Sequence, residues 1–275
     1  MSARPTEVLA RATRYLERHG VDAPRATAEV LLADLLGTDR AGLYTRAQGL
    51  SAAQARDFGR ALCRRCDGVP LQHLTGEQGF RTLVLEVRPG VFVPRPETEV
   101  VVEAALDAIA QVADAAVIDV GTGTGAIALS IAAERPDARV LAVDLSPAAA
   151  ELARANAERL GLAVEVLEGD LLGPLPAGLR GRLDLVVSNP PYVREHEIDS
   201  LPRDVLADPR TALVGDLALT QRLARAAREA LRPGGTLVLE IGDDQADEVR
   251  GVLDGFPSVR VLPDLAGRDR VVVAS

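Results

Sequence analysis

The chain has 275 residues, of which 47% are apolar and 26% charged, with a formal net charge of −9 at pH 7. That length exceeds one minimal core and suits a large domain plus a small one, at ~100–200 residues per domain. No stretch approaches the ~18 uninterrupted apolar residues of a membrane span, and the acidic balance repels a phosphate backbone, so neither membrane nor nucleic acid is expected as a partner.

The first residues, Met1-Ser2-Ala3-Arg4-Pro5-Thr6-Glu7, carry no apolar h-region, and only Cys63 and Cys66 are available for disulfides, so a cytoplasmic location is expected. Residues 5 to about 70 read as helices. Asp22 with Pro24 can start a helix carrying Val30, Leu31, Leu35 and Leu36, and Ser51 with Gln54 fits a capping box ahead of Phe58 and Leu62. A helical N-terminal domain is therefore expected over residues 1–70. Between 71 and 96 the pattern changes: Leu83, Leu85 and Val87 alternate, Pro89-Gly90 marks a turn, and Val91-Phe92-Val93 resumes the apolar run. This predicts a β-hairpin linker.

Across residues 97–275 helical and strand patterns alternate. Strands are predicted at 117–120, 140–143, 164–167, 183–187 and 237–240, with helices at 99–109, 126–134, 148–160 and 217–231. Such alternation predicts βαβ units and a largely parallel sheet, an α/β fold. Leu231-Arg-Pro-Gly-Gly235 reads as a helix stop before a strand. The last apolar runs, 259–262 and 271–273, have no helix between them and are expected to close the sheet as an antiparallel pair.

Two segments of this region carry candidate chemistry. Asp119-Val-Gly121-Thr122-Gly123-Thr124-Gly125-Ala126 lies between a strand and a helix pattern, where glycines let the backbone turn tightly and approach a ligand. Asp144 ends the next strand pattern, about 20 residues on, where an acidic group accepts hydrogen bonds from ribose hydroxyls. Together these make a nucleoside cradle. Because Gly121-x-Gly123-x-x-Ala126 also satisfies the relaxed dinucleotide fingerprint, the loop does not separate a nicotinamide cofactor from S-adenosylmethionine.

The second segment, Asn189-Pro190-Pro191-Tyr192, follows the strand pattern Leu183-Asp-Leu-Val-Val-Ser188. Open α/β sheets bind ligands beyond the carboxyl ends of their strands, so both segments should face one crevice. Two consecutive prolines fix φ near −65° and remove two N–H groups, leaving a stiff segment of carbonyl oxygens beside the Asn189 side chain. An NH₂ group on an sp² carbon offers two donors, which the Asn189 and Pro190 carbonyls can accept while Tyr192 covers its planar face. Acceptor contacts that strengthen as charge develops on nitrogen are the useful kind for a delocalised amide.

With these motifs in place the chain resembles the HemK-type protein-(glutamine N5) methyltransferases that act on peptide chain release factors. The resemblance rests on Pro70-Leu-Gln-His-Leu-Thr-Gly76, Val93-Pro-Arg-Pro-Glu-Thr-Glu99, the segment from Asp119 to Ala128, Asn189-Pro-Pro-Tyr192 and Thr211-Ala-Leu213. It implies a helical N-terminal domain that recognises the release factor, a hairpin linker, and a seven-stranded Rossmann-like methyltransferase sheet with a reversed last strand. It also implies transfer of a methyl group from S-adenosyl-L-methionine to the glutamine of the Gly-Gly-Gln motif in class 1 release factors. Carried over by position, Gly121, Thr122, Gly123, Thr124, Gly125 and Asp144 look like cofactor contacts, and Asp170 with Leu171 like the adenine side. Asn189, Pro190, Pro191 and Tyr192 look like the glutamine clamp, with Asn189 touching both ligands.

An adenine N6-methyltransferase of DNA or RNA would use the same clamp, since adenine's exocyclic amine is also a planar NH₂; the net charge and the lack of a basic stripe weigh against it. A glutamine methyltransferase for a ribosomal protein is a nearer rival, and a non-enzymatic nucleotide-binding module a more distant one. Cys63-Arg-Arg-Cys66 has zinc or redox spacing but sits in a helical pattern with no second pair, so no metal is expected. His19, His73 and His196 share no ligand spacing.

Overall fold

A computed structural model describes residues 4–275. They divide into two compact units, one running to Glu77 and taking in Pro202–Ala207, the other holding Gln78–Leu201 and Asp208–Ser275. The first three residues of the expected N-terminal domain lie outside the described residues.

The first unit is helical: α1 (Pro5–Arg18), α2 (Pro24–Leu36), α3 (Arg40–Thr45), α4 (Ala52–Cys66) and α5 (Leu71–Thr75). Local chemistry sets the boundaries. Prolines open α1 and α2, where a missing N–H costs nothing, and Gly37 ends α2 in the left-handed conformation. The expected capping box closes on α4, with Gln54 N donating to Ser51 Oγ at 3.2 Å and Ser51 N to Gln54 Oε1 at 3.0 Å. Leu9, Leu16, Leu32, Leu43, Phe58 and Leu62 form the core. Val30, expected on the apolar face of α2, is exposed; Leu31 and Leu32 carry that face instead.

A hairpin of β1 (Glu77–Phe80) and β2 (Leu83–Glu86) follows, in the second unit from Gln78 onward. The hairpin lies one turn earlier than the sequence pattern predicts. The chain reverses at Arg81, which takes a positive φ of 50° without being glycine, and whose N–H donates to Glu99 Oε1 at 2.9 Å. That distant carboxylate stabilises the turn, so no local turn signal marks it. Pro89-Gly90 does turn the chain, but residues 91–93 form no strand.

A short 3₁₀ turn, Pro96–Thr98, leads into α6 (Glu99–Ala108). Then follow β3 (Ala116–Val120), α7 (Ala126–Glu134), β4 (Arg139–Asp144), α8 (Pro147–Leu160), β5 (Val164–Glu168), β6 (Leu183–Ser188), α9 (Arg210–Leu213), α10 (Leu217–Ala230), β7 (Leu231–Glu240), α11 (Ala246–Val252), β8 (Val259–Pro263) and β9 (Asp269–Ala274). The seven strands from β3 onward make one sheet in the order β5-β4-β3-β6-β7-β9-β8. All neighbours are parallel except β9, which runs antiparallel to both β7 and β8. The final antiparallel pair is thus as expected.

Central strands of this sheet are buried on both faces, as parallel strands covered by helices must be. Val117, Val140 and Leu185 pack with α6 and α7, while their neighbours Ile118, Leu141 and Val186 pack with α10 and α11. At 231–235 the structure corrects the sequence reading: α10 stops at Ala230, and the Pro-Gly-Gly segment lies inside β7 as an irregularity opposite Leu183–Leu185. There a Cβ on Gly235 would come within 2.8 Å of the Leu183 carbonyl oxygen, so only glycine fits.

Strand order reverses direction between β3 and β6, the switch point at which doubly wound sheets open a crevice. The register pairs Val120 with Ser188, and Ser188 Oγ donates to the Val120 carbonyl at 2.6 Å. Gly121 and Asn189, the next residues on each strand, therefore emerge side by side.

Candidate active site

The crevice is built from the carboxyl ends of five parallel strands. Register places Val120 beside Val143, Asp144 beside Glu168, Val120 beside Ser188, and Ser188 beside Leu239. Each predicted site residue lies at or past one of these ends.

The glycine loop leaves β3 with Gly121, Gly123 and Gly125 all at positive φ (73°, 58° and 88°), a path that side-chain-bearing residues resist. Open space lies where Cβ atoms on Gly121 and Gly123 would point, whereas a Cβ on Gly125 would collide with Leu129 at 2.8 Å. The first two glycines thus leave room for a ligand, and the third lets the loop close onto α7. Gly123 N–H donates to Asp144 Oδ2 at 2.8 Å, and Ser146 N–H to Asp144 Oδ1 at 2.8 Å. Asn156, fully buried on α8, donates to the carbonyls of Thr124 and Glu86, each at 3.0 Å, and so ties the loop to β2.

Beneath the loop lies Asp119, fully buried, accepting from Thr122 Oγ1 at 2.6 Å and Ala128 N–H at 3.2 Å through Oδ2. Its Oδ1 has no hydrogen-bond partner. Burial pushes Asp119 up to about 7, the two donors and nearby Asp144 having smaller effects. Asp144 is also raised by burial, against the lowering effect of three backbone N–H groups. An orphaned buried carboxylate oxygen, open space over two glycines and an acid at the tip of β4 fit a nucleoside cofactor carrying an amino group. Asp170 and Leu171 follow β5. Asp170 is exposed and ion-paired with Arg222, while Leu171 adopts φ 49° and is partly buried against the core cluster on the α10 and α11 face of the sheet.

At the end of β6 the Asn189 amide is half buried, and its Nδ2 donates to Thr98 Oγ1 at 3.1 Å. Pro190 is buried. Tyr192 O–H donates to Glu240 Oε1 at 3.2 Å, and the Tyr192 carbonyl accepts from Gln245 Nε2 at 2.8 Å. Burial and the neighbouring Glu240 charge raise the Tyr192 phenol well above its ordinary range. Behind the clamp, Val193 N–H donates to Leu213 O at 2.9 Å and Gly215 N–H to Val193 O at 3.2 Å. This parallel bridge brings Gly215 so close that a Cβ there would overlap the Pro191 carbonyl.

Several contributors escaped sequence reasoning. Glu240, at the tip of β7, is 2% exposed, and burial pushes it up to about 7 despite the Thr98 and Tyr192 hydroxyls and the Arg270 charge. Its Oε2 lacks a partner in hydrogen-bonding geometry. Thr98 is 3% exposed. A lone acid ending an apolar strand pattern, and a threonine in Pro-Arg-Pro-Glu-Thr-Glu, were the available signals. Asp208, also buried, accepts from Val93 N–H at 3.1 Å and pairs with Arg95, fixing the segment that leads to Thr98.

A cavity of about 560 Å³ is lined by Arg194, Val214, Gly215, Leu217, Leu219 and Glu248, among others. It includes neither the glycine loop nor Asn189, so it adjoins the clamp without being the reacting pocket. His196 lies in an exposed 3₁₀ turn, Glu195–Ser200. Cys63 and Cys66 are both free thiols on α4, with Cys63 Sγ at 3.7 Å from the Tyr15 hydroxyl.

Comparison with known proteins agrees with this geometry. Residues 7–76 match the family model of the PrmC N-terminal domain, and residues 83–249 that of the methyltransferase small domain. The chain is 45% identical to the release factor glutamine methyltransferase of Moorella thermoacetica, over 98% of this chain and 97% of that one. It is 41% identical to the protein of the same name from Koribacter versatilis, over 95% of each. Among solved structures it shares its fold with a T. thermophilus 16S rRNA methyltransferase determined with AdoMet and guanosine. There the TM-score is 0.55 and identity 22%, covering 72% of this chain and 49% of that one.

Proposed function

The chain belongs to the release factor glutamine methyltransferases, and from that membership we propose that it methylates the side-chain amide nitrogen (N5) of the glutamine in the Gly-Gly-Gln motif of class 1 peptide chain release factors. S-adenosylmethionine is the methyl donor, and when bound it supplies an electrophilic methyl group on a sulfonium.

The observation that carries this reading is the Asn189 amide: its NH₂ is committed to Thr98, which leaves Oδ1 as an acceptor, one residue before the Pro190 carbonyl. Two acceptors side by side match the two N–H donors of a primary amide. In the proposed arrangement Asn189 Oδ1 and Pro190 O take those two hydrogen bonds and Tyr192 covers the amide plane. The glycine loop, Asp144, Asp170 and Leu171 hold the donor so that the reacting atoms lie about 3–3.5 Å apart. As the nitrogen lone pair leaves the amide resonance, its N–H groups grow more acidic and both acceptor contacts strengthen, which lowers the barrier rather than merely tightening binding. No strong base is needed, because an N-alkylated, N-protonated amide surrenders its proton readily to water.

In this scheme the helical unit, residues 1–70, recognises the release factor, residues 71–96 link it, and residues 97–275 hold the chemistry. Among the described residues no helix is long and apolar enough to cross a membrane. A cytoplasmic setting fits a substrate of the translation apparatus, and no direct nucleic-acid contact is required. Mass spectrometry of a class 1 release factor incubated with the protein and S-adenosylmethionine tests the assignment. One methyl group on the Gly-Gly-Gln glutamine is expected. Transfer only to an adenine-containing oligonucleotide offered alongside would overturn it in favour of the adenine reading.

A further inference from the structure

We propose that Glu240, acting through the Thr98 hydroxyl, holds the Asn189 amide with its oxygen toward the substrate, which makes this buried carboxylate and Thr98 positioning residues for methyl transfer. The inference rests on the glutamine reading and goes beyond it by naming what orients the clamp.

A primary amide side chain can be turned by half a rotation at little steric cost, exchanging its oxygen and nitrogen. Only one of the two orientations serves: with the NH₂ outward, Asn189 would meet the substrate NH₂ donor to donor. What distinguishes them is the partner on the inner side, Thr98 Oγ1, at 3.1 Å. A hydroxyl has one proton and two lone pairs, so it can either donate to Asn189 or accept from it. If its proton is drawn elsewhere, only lone pairs face Asn189, and the amide must present nitrogen inward and oxygen outward.

Glu240 is the group that draws it. Thr98 and Glu240 are 3% and 2% exposed, so water does not compete at either. An ionised carboxylate only accepts; Glu240 holds the Tyr192 hydroxyl in a hydrogen bond, and the Thr98 hydroxyl lies beside it outside strict hydrogen-bonding geometry. Tyr192 O–H reaches Oε1 at 3.2 Å, and Oε2 is buried with spare accepting capacity. The Thr98 hydroxyl is close enough to favour the charged form of Glu240, as do the Arg270 guanidinium and Tyr192, while burial and Glu97 oppose it. One carboxylate thus sets both ends of the clamp: the tyrosine directly and the asparagine through one hydroxyl. Sheet register supports the placement, since Leu239 pairs with Ser188 and Glu240 comes level with Asn189. Protonation of Glu240, or loss of the Thr98 hydroxyl, removes the bias and lets the unproductive orientation compete.

The test compares Thr98→Val, Thr98→Ser and Glu240→Gln in the full chain, measuring kcat and KM for a class 1 release factor, cofactor affinity by calorimetry, and thermal stability. Thr98→Val keeps the shape but loses the hydroxyl; kcat is expected to fall about tenfold to a hundredfold, the usual consequence of losing one hydrogen bond to a charged partner. KM and cofactor affinity should stay within about twofold, because the perturbed contact acts on the orientation of a reacting group. Thr98→Ser should restore kcat. Glu240→Gln should lower kcat in wild type but several-fold less in the Thr98→Val background, where the relay is already cut. A folded Thr98→Val protein with wild-type kcat, failure of Thr98→Ser to rescue, or equal losses from Glu240→Gln in both backgrounds would overturn the inference. If the wild-type protein transfers no methyl to glutamine, the functional reading falls and takes this inference with it; wild-type transfer with an unaffected Thr98→Val protein defeats the inference alone.

Discussion

Gly215→Ala is the smallest substitution that should disable the clamp while leaving every residue of Asn189-Pro190-Pro191-Tyr192 chemically intact. Gly215 lies beside Pro191, and a Cβ there would overlap the Pro191 carbonyl group while also reaching the Pro191 Cβ at 3.1 Å. Its φ is not in the left-handed region, so backbone strain plays no part and the effect is steric alone. To restore ordinary contact the two segments must separate by roughly 1.5 Å. Opposing that separation are two hydrogen bonds, Val193 N–H to Leu213 O at 2.9 Å and Gly215 N–H to Val193 O at 3.2 Å. Overpacking of this kind costs ~1–3 kcal/mol, which for a chain of this size lowers Tm by about 2–10 °C. The kinetic effect should be larger in proportion, since a displacement of about 1 Å at a positioned group can cost ~10² in rate. Single-turnover methylation of a release factor at saturating cofactor, with calorimetry for S-adenosylmethionine, separates the two sites. The rate should fall about a hundredfold with cofactor affinity unchanged. A Gly215→Ala protein with the wild-type rate and wild-type Tm would show that the clamp is not held from this side.

Three further outcomes are expected. Asp144→Ala should weaken S-adenosylmethionine binding about tenfold to a hundredfold, as for the loss of a charge-assisted acceptor; unchanged affinity by calorimetry would refute the ribose contact. Asn189→Ala should slow single-turnover methylation by ~10²–10³, by analogy with the loss of one preorganised hydrogen-bonding group, with circular dichroism confirming the fold; a wild-type rate would remove the clamp from the mechanism. The pH dependence should show opposite signs for stability and rate. Asp119 and Glu240 have folded values raised to about 7 from 3.8 and 4.5, so the stability they contribute is full below the unfolded values and is lost as pH rises through about 7. Methyl transfer should rise through the same range as Glu240, facing Thr98, Tyr192, Arg270 and Glu97, becomes ionised, and Glu240→Gln should abolish that rise; a flat wild-type rate profile from pH 6 to 8 would contradict it.

Much of the architecture was legible because it follows from periodicity. Strands β3, β4 and β6 are largely apolar runs buried on both faces, and α7 could be bounded to the residue by the glycine before it and the polar turn after it. Glycine loop and proline pair were equally visible, since both depend on backbone properties that only those residue types supply. What escaped were features created by distant partners. The turn at Arg81 is held by Glu99, and the exposure of Val30 reflects which face of α2 meets α1. Helix α11 is only seven residues long and too short to show a period. Glu240 and Thr98 lie far apart in the chain, and nothing local to either foretells that they share a buried site with Asn189. Gly215 resembles any loop glycine until Pro191 is brought against it.

The reversed strand β9 has a consequence for how the enzyme is made. It follows the other six strands of the sheet in sequence yet sits inside it, between β7 and β8. Until residues 269–274 arrive, β7 keeps an open edge carrying Leu237, Val238 and Leu239, all fully buried in the finished fold. An unsealed apolar edge of that kind invites pairing with other chains. Glu240 itself pairs with Val271, so a nascent or clipped chain lacking its final segment would have an unanchored clamp as well as a sticky edge. Competence for methylation and resistance to aggregation should therefore appear together, when the six residues of β9 slot into place.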